Sequence, residues 1–90
     1  MGITNNQDLN RFEVSLEEGT GFLRYQIESG IMHLLYVEVP PEARGHGVAG
    51  ELSHAALEFA KERGLKVIPV CSYVAAYLRR HPEYSEMVRN

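Results

Sequence analysis

The chain has 90 residues, 44% of them hydrophobic and 23% charged, with a net charge of −3. These are the proportions of one ordinary globular domain. No apolar run approaches the roughly 20 residues that span a bilayer, the first residues lack the basic and apolar regions of a secretory leader, and no basic stripe suits a nucleic acid. The single cysteine, Cys71, excludes an internal disulfide and a multi-cysteine metal site. The expectation is a cytoplasmic protein without metal, membrane or nucleic-acid partner. Charge is unevenly spread: residues 1–43 hold seven acids against two bases, and residues 44–90 hold seven bases against five acids. A mildly basic half suits a polyanion and an acidic half a cationic amine, although two solvated surfaces would read the same way.

Residues 1–9 are polar and are expected to fray, leaving one domain over 10–90. Phe12, Val14 and Leu16 alternate with polar residues, which predicts a half-buried strand over 11–17. A turn at Glu18-Gly19-Thr20-Gly21 leads to a second alternating stretch, Phe22 to Glu28, with Leu23, Tyr25 and Ile27 on one face. Ser29-Gly30 predicts a hairpin. Ile31 to Val39 is nearly continuous in apolar residues, which predicts a central strand covered on both faces. Pro40-Pro41 stops it. From Val48 to Arg63 the apolar residues Val48, Leu52, Ala55, Ala56, Phe59 and Ala60 recur at helical spacing, and Gly64 is placed as the residue past the helix end. Lys66 to Cys71 predicts a short strand. Returning after a helix, it should run parallel to the third strand. Ser72 opens a last helix to Arg80. The order β-β-β-α-β-α defines an α+β fold, an α/β sandwich built on an antiparallel three-strand meander, a helix, a parallel strand and a helix.

The segment carrying chemistry is Arg44-Gly45-His46-Gly47, lying between a strand and a helix. A helix start presents unpaired N–H groups and a partial positive charge, and glycines admit an anion to the backbone. Arg44 adds a charge-assisted donor. The spacing is neither Gly-x-Gly-x-x-Gly nor Gly-Lys-Ser/Thr, so dinucleotide and P-loop readings are disfavoured.

Arg44-x-x-Gly47-x-Ala49, following Tyr36-Val37-Glu38-Val39 and opening an amphipathic helix, resembles the Arg/Gln-x-x-Gly-x-Gly/Ala pattern of the GCN5-related N-acetyltransferases. The runs Glu38 to Ala49, Gly64 to Val74 and Arg80-His81-Pro82-Glu83-Tyr84 resemble its minimal, single-domain branch, so the likeness covers about residues 10 to 85. It implies an acetyl-CoA-dependent transfer to a primary amine, which could be a protein lysine. It places the coenzyme A diphosphate on Arg44, Gly45, His46, Gly47, Val48 and Ala49. The pantetheine arm would lie as an added strand along Val37 and Val39. It also implies that the strand before the loop and the strand after the helix splay apart. Pro69, which lacks an N–H, gives a local reason.

Amine acetylation needs a neutral amine, a polarised thioester and a proton for the departing thiolate. Cys71, at the end of the parallel strand, is the residue implicated in activity in the minimal branch, as acetyl acceptor or as proton donor. His33 and Glu38 are the candidate bases, each with a plain alternative as an ordinary strand side chain. His46 suits a phosphate contact better than chemistry. His54 and His81 have no evident partner. Many members place a tyrosine acid on the last helix; the corresponding position here is Arg79, with Tyr73, Tyr77 and Tyr84 off register. The resemblance further implies an open acceptor side suited to a protein tail or an unselective amine. The same residues also fit a non-catalytic acyl-CoA-binding or regulatory module, or an interaction domain that keeps only the fold.

Overall fold

The computed structural model describes residues 2–89. A five-stranded sheet runs in the order β1 (Thr4–Asn6), β2 (Arg11–Leu16), β3 (Gly19–Glu28), β4 (Ile31–Glu38) and β5 (Lys66–Pro69). The first four strands are antiparallel and β5 joins β4 in parallel. Helix α1 (Val48–Glu62) crosses from β4 to β5, and helix α2 (Ser72–Arg80) follows β5. The α+β order and the parallel return are those the periodicity predicts.

Two features differ from expectation. Within the stretch expected to fray, Thr4–Asn6 forms an edge strand. Thr4–Asn6 pairs with Arg11–Glu13, Ile3 packs against the core, and the Asn5 side chain accepts a 2.7 Å hydrogen bond from the Tyr25 hydroxyl. Polar side chains here tie a strand down by hydrogen bonds, which a hydropathy pattern does not register. The central strand β4 is also not covered twice. Met32 and Leu34 are fully buried, but Ile31, His33 and Leu35 are only half-buried and Tyr36 is 43% exposed. Both helices pack on one face, with Phe12, Val14, Leu23, Tyr25, Leu34 and Val67 meeting Leu52, Ala56, Leu57, Val74 and Tyr77. The other face carries Phe22 edge-on to Tyr36, with the Arg11 guanidinium 4.6 Å over the Phe22 ring, and no element of the described residues lies across it. Two layers around a single core follow from this arrangement.

The helix ends follow their sequence. Arg63 caps α1, and Gly64 adopts φ +66°, the left-handed turn that glycine makes without steric cost. Past α2 a 3-10 turn over Pro82–Met87 carries the chain back. Val88 bridges Val67 in parallel, and the Arg89 N–H donates to the Val67 carbonyl at 2.8 Å, so the outer edge of β5 is covered. Leu52, with no exposed surface, sits where α1 meets the sheet. Leu52→Ala should lower the unfolding free energy by roughly 2–5 kcal/mol, read from urea or guanidinium melts.

Candidate functional site

The site is built where β4 and β5 part. Their pairing runs only from Ile31–Lys66 to Leu34–Pro69. Beyond it the Val70 N–H turns back onto the Ile68 carbonyl (3.1 Å), with Pro69 at the centre of this tight reversal. The last bond between the two segments runs from the Cys71 N–H to the Leu34 carbonyl at 2.9 Å. Cys71 then caps α2, which leaves the sheet. From Leu35 to Glu38 this edge of β4 has no partner strand among the described residues. At the same place β4 bulges. Tyr25 pairs with Leu34 and Arg24 with Tyr36, so Leu35 is an extra residue. The bulge inverts the alternation: Met32 and Leu34 face the core before it, and Val37 packs toward the core after it.

The loop after β4 opens onto this gap. A 3-10 turn over Pro41–Ala43 is followed by Gly45 (φ +85°) and Gly47 (φ +82°), both in the left-handed region. Gly47 is the N-cap of α1 and has no side chain to satisfy the helix start, so the N–H groups of the first turn remain available. A Cβ at either glycine would meet nothing within 4 Å. These glycines are therefore required by conformation, and the space above them is open to an anion. Arg44 is exposed and its Nε donates to the Val39 carbonyl at 3.2 Å, which holds the side chain along the loop.

A cleft of about 300 Å³ joins these parts, lined by Val39, Arg44, Gly45, Gly47, Ala49 and Tyr73. A neighbouring cleft of about 440 Å³ runs along Val37, Glu38, Val39 and Arg44. The structure thus brings Val37, Val39, Arg44, Gly45, Gly47, Val48 and Ala49 together around one opening. It does not bring His46 there. That side chain lines a separate shallow cleft with Leu16 and Glu18. Glu38 lies on the helix-free side of the sheet beside Phe22, and His33 lies on the same side between Gln26 and Ile68. Cys71 is half-buried at the point of parting, packed against the core and in no disulfide.

Tyr73, off register for the tyrosine acid of the resemblance, is the aromatic that lines the cleft. It is 37% exposed, and its hydroxyl is 3.4 Å from where a Cβ on Gly50 would stand. Gly50 allows the α2 tyrosines to approach the first turn of α1. The usable cue was its place one turn or less after the strand end, on the helix that borders the gap. Further along, the buried Tyr84 donates to Glu58 Oε2 at 2.6 Å and contacts His54 Nδ1 at 3.2 Å. Burial and the Glu58 carboxylate push its hydroxyl pKa well up, so it stays a proton donor. Burial, then Glu83, raises that of Tyr77.

A family model described as GCN5-related N-acetyl-transferase matches residues 11–87. The chain belongs to that family. Protein NATD1 of Gallus gallus and of Mus musculus are each 40% identical to it over 52 residues, 58% of this chain and 47% of theirs. Protein NATD1 of Homo sapiens is 40% identical over 52 residues. The chain spans about half the length of the curated relatives it matches. The NMR solution structure of a GCN5-like protein from Staphylococcus aureus superposes with a TM-score of 0.77, covering 99% of this chain and 88% of that one at 24% identity. That likeness is one of fold. It agrees with the α+β sheet described above.

The loop conformation has a direct consequence. Gly47→Ala forces a side chain into the left-handed region and should cost about 1–2 kcal/mol of stability, measured by chemical denaturation. Since the space is open, no steric cost should add to it.

Proposed function

We propose that the chain is an acetyl-CoA-dependent N-acetyltransferase acting on a primary amine, with a lysine side chain of a protein as the acceptor class. The observation that carries this reading is the partner-free β4 edge leading directly into a glycine-capped helix start. An extended pantetheine arm can hydrogen-bond to the free edge near Val37 and Val39, as a strand adds to a sheet. A diphosphate fits the open N–H groups at Gly47, Val48 and Ala49, supported by the helix dipole and by Arg44. Donor type, open space and positive φ all suit that group. Acetyl-CoA supplies the thioester whose acyl group is transferred.

In the transfer the amine nitrogen bonds to the thioester carbonyl carbon and the carbon–sulfur bond breaks. The nitrogen loses a proton and the departing thiolate gains one. His33 and Glu38 stand on the helix-free side of β4 and are the groups able to take the amine proton from that side. Cys71, at the parting point, is the group proposed to serve the acyl end, either by giving the thiolate its proton or by receiving the acetyl group first, its own proton then passing to the thiolate. The uncovered sheet face offers no enclosed acceptor pocket, which suits a side chain presented on a larger molecule.

Acetylation of lysine-bearing proteins, followed by mass spectrometry, tests the activity. Cys71→Ala should keep coenzyme binding by calorimetry and lower kcat by about 100-fold or more. Unchanged turnover removes Cys71 from the mechanism. Coenzyme binding without any acetylated product identifies a binding module in place of an enzyme.

A further inference from the structure

The uncovered sheet face carries an ordered pattern of charge beside the loop. On β3 and β4 the outward side chains Phe22, Arg24, Tyr36 and Glu38 stand at the corners of one square, since Phe22 pairs with Glu38 and Arg24 with Tyr36. The two aromatics take one diagonal and the two charges take the other. The rings meet edge to face with centroids 6.0 Å apart, so they occupy the middle of the square. Arg24 and Glu38 stand on either side of them. Diagonal neighbours in an antiparallel pair are about 7–8 Å apart, within reach of long side chains. Even so, neither Arg24 nor Glu38 is in an ion pair among the described residues.

The adjacent charges on this face are already neutralised. Arg11 pairs with Glu13 at 2.6 Å and lies 4.6 Å over the Phe22 ring. One cation and one carboxylate are thus left, both exposed, with the exposed Tyr36 ring between them. Glu38 is the end nearest the loop, and it lines a cleft with Val39 and Arg44. Arg24 is set back on the sheet, and the reading above gives it no role.

An extended polypeptide matches this pattern. Its side chains at i and i+2 share a face and stand roughly 6.5 Å apart, while the residue between them points away. A lysine whose amine reaches Glu38 lays its aliphatic stem along the Phe22 and Tyr36 rings. The side chain two residues away then stands over Arg24. A carboxylate there meets an unpaired guanidinium, and a cation there meets like charge.

We infer that Arg24 selects the acceptor, favouring an extended protein segment with a carboxylate two residues from the lysine to be acetylated. The inference rests on the proposed lysine acetylation and on the Glu38 side of the sheet as the side of approach. Arg24 touches no reacting atom; it places the segment that brings the amine in.

Values of kcat/KM for short peptides, measured on wild type, Arg24→Ala and Arg24→Glu, test this. The peptides share one lysine and differ only in whether glutamate, alanine or arginine stands next to it or two residues away, on either side. N-acetyl-lysine amide serves as the acceptor without flanks. With wild type, glutamate two residues away on one side should raise kcat/KM over alanine by about two- to fivefold, the value of one exposed charge pair. The gain should vanish near 1 M salt, where screening reaches within about 3 Å. Glutamate next to the lysine should do nothing. Arg24→Ala should bring the ratio to one, and Arg24→Glu should favour arginine at the same position. Both variants should acetylate N-acetyl-lysine amide at the wild-type rate and keep the wild-type melting temperature, since Arg24 is exposed. The inference is overturned if wild type shows no preference, if the adjacent position works equally well, if Arg24→Ala keeps the preference, or if the variants slow the flankless acceptor as much as the peptides. Acetylation of N-acetyl-lysine amide with no peptide preference defeats only this inference. Absence of acetylation of every acceptor by wild type defeats the proposed lysine acetylation, and the inference with it.

Discussion

The site depends on the separation of β4 from β5. A parallel pair that stayed zipped beyond Leu34 would satisfy the edge of β4 and leave nothing to bind. Three small features prevent this. Pro69 sits at the centre of a tight reversal and cannot donate, Leu35 is an extra residue that breaks register, and Cys71 makes the last bond before the chain turns into α2. Past the Cys71 bond the β4–β5 ladder stops, and unpaired backbone groups need a partner in water or in a ligand. The gap is therefore polar on its backbone side and directed at the helix start.

The loop extends the same logic. Gly45 and Gly47 take left-handed conformations that open the α1 N-terminus, and Arg44 is tied to the Val39 carbonyl. One cleft and a groove meet at Gly47, and the neighbouring cleft shares Val39 and Arg44 with the first. A long ligand with an anionic centre is matched by a surface whose donors are central and which extends along a free strand edge. In a chain this small only one sheet face is needed to form the core, and the other is left uncovered by the described residues.

Much of this was legible in the residues. The helix from Val48, its end at Gly64, the parallel return of Lys66–Pro69 and the glycine-bearing loop all follow from spacing, because periodicity and left-handed glycines are local properties. The bulge was also written in the sequence as a phase slip, inward residues passing from Met32 and Leu34 to Val37, but a continuous apolar run concealed it and suggested burial on both faces. The N-terminal strand was missed because Asn5 and Asn6 act through side-chain hydrogen bonds to Tyr25 and Glu13. Tyr73 was missed because its place depends on how α2 lies against α1, which a register count within one helix cannot supply. His46 was placed on the diphosphate as part of the Arg44–Ala49 stretch that the resemblance implies, and the cleft it lines is a separate one shared with Leu16 and Glu18.

The most direct test is an amide chemical-shift map of the protein titrated with acetyl-CoA. The account predicts the largest changes at Gly45, Gly47, Val48 and Ala49 and along Tyr36 to Val39, with β1 and β2 nearly silent. Saturating coenzyme that leaves those amides unmoved, or moves only residues elsewhere, would contradict it.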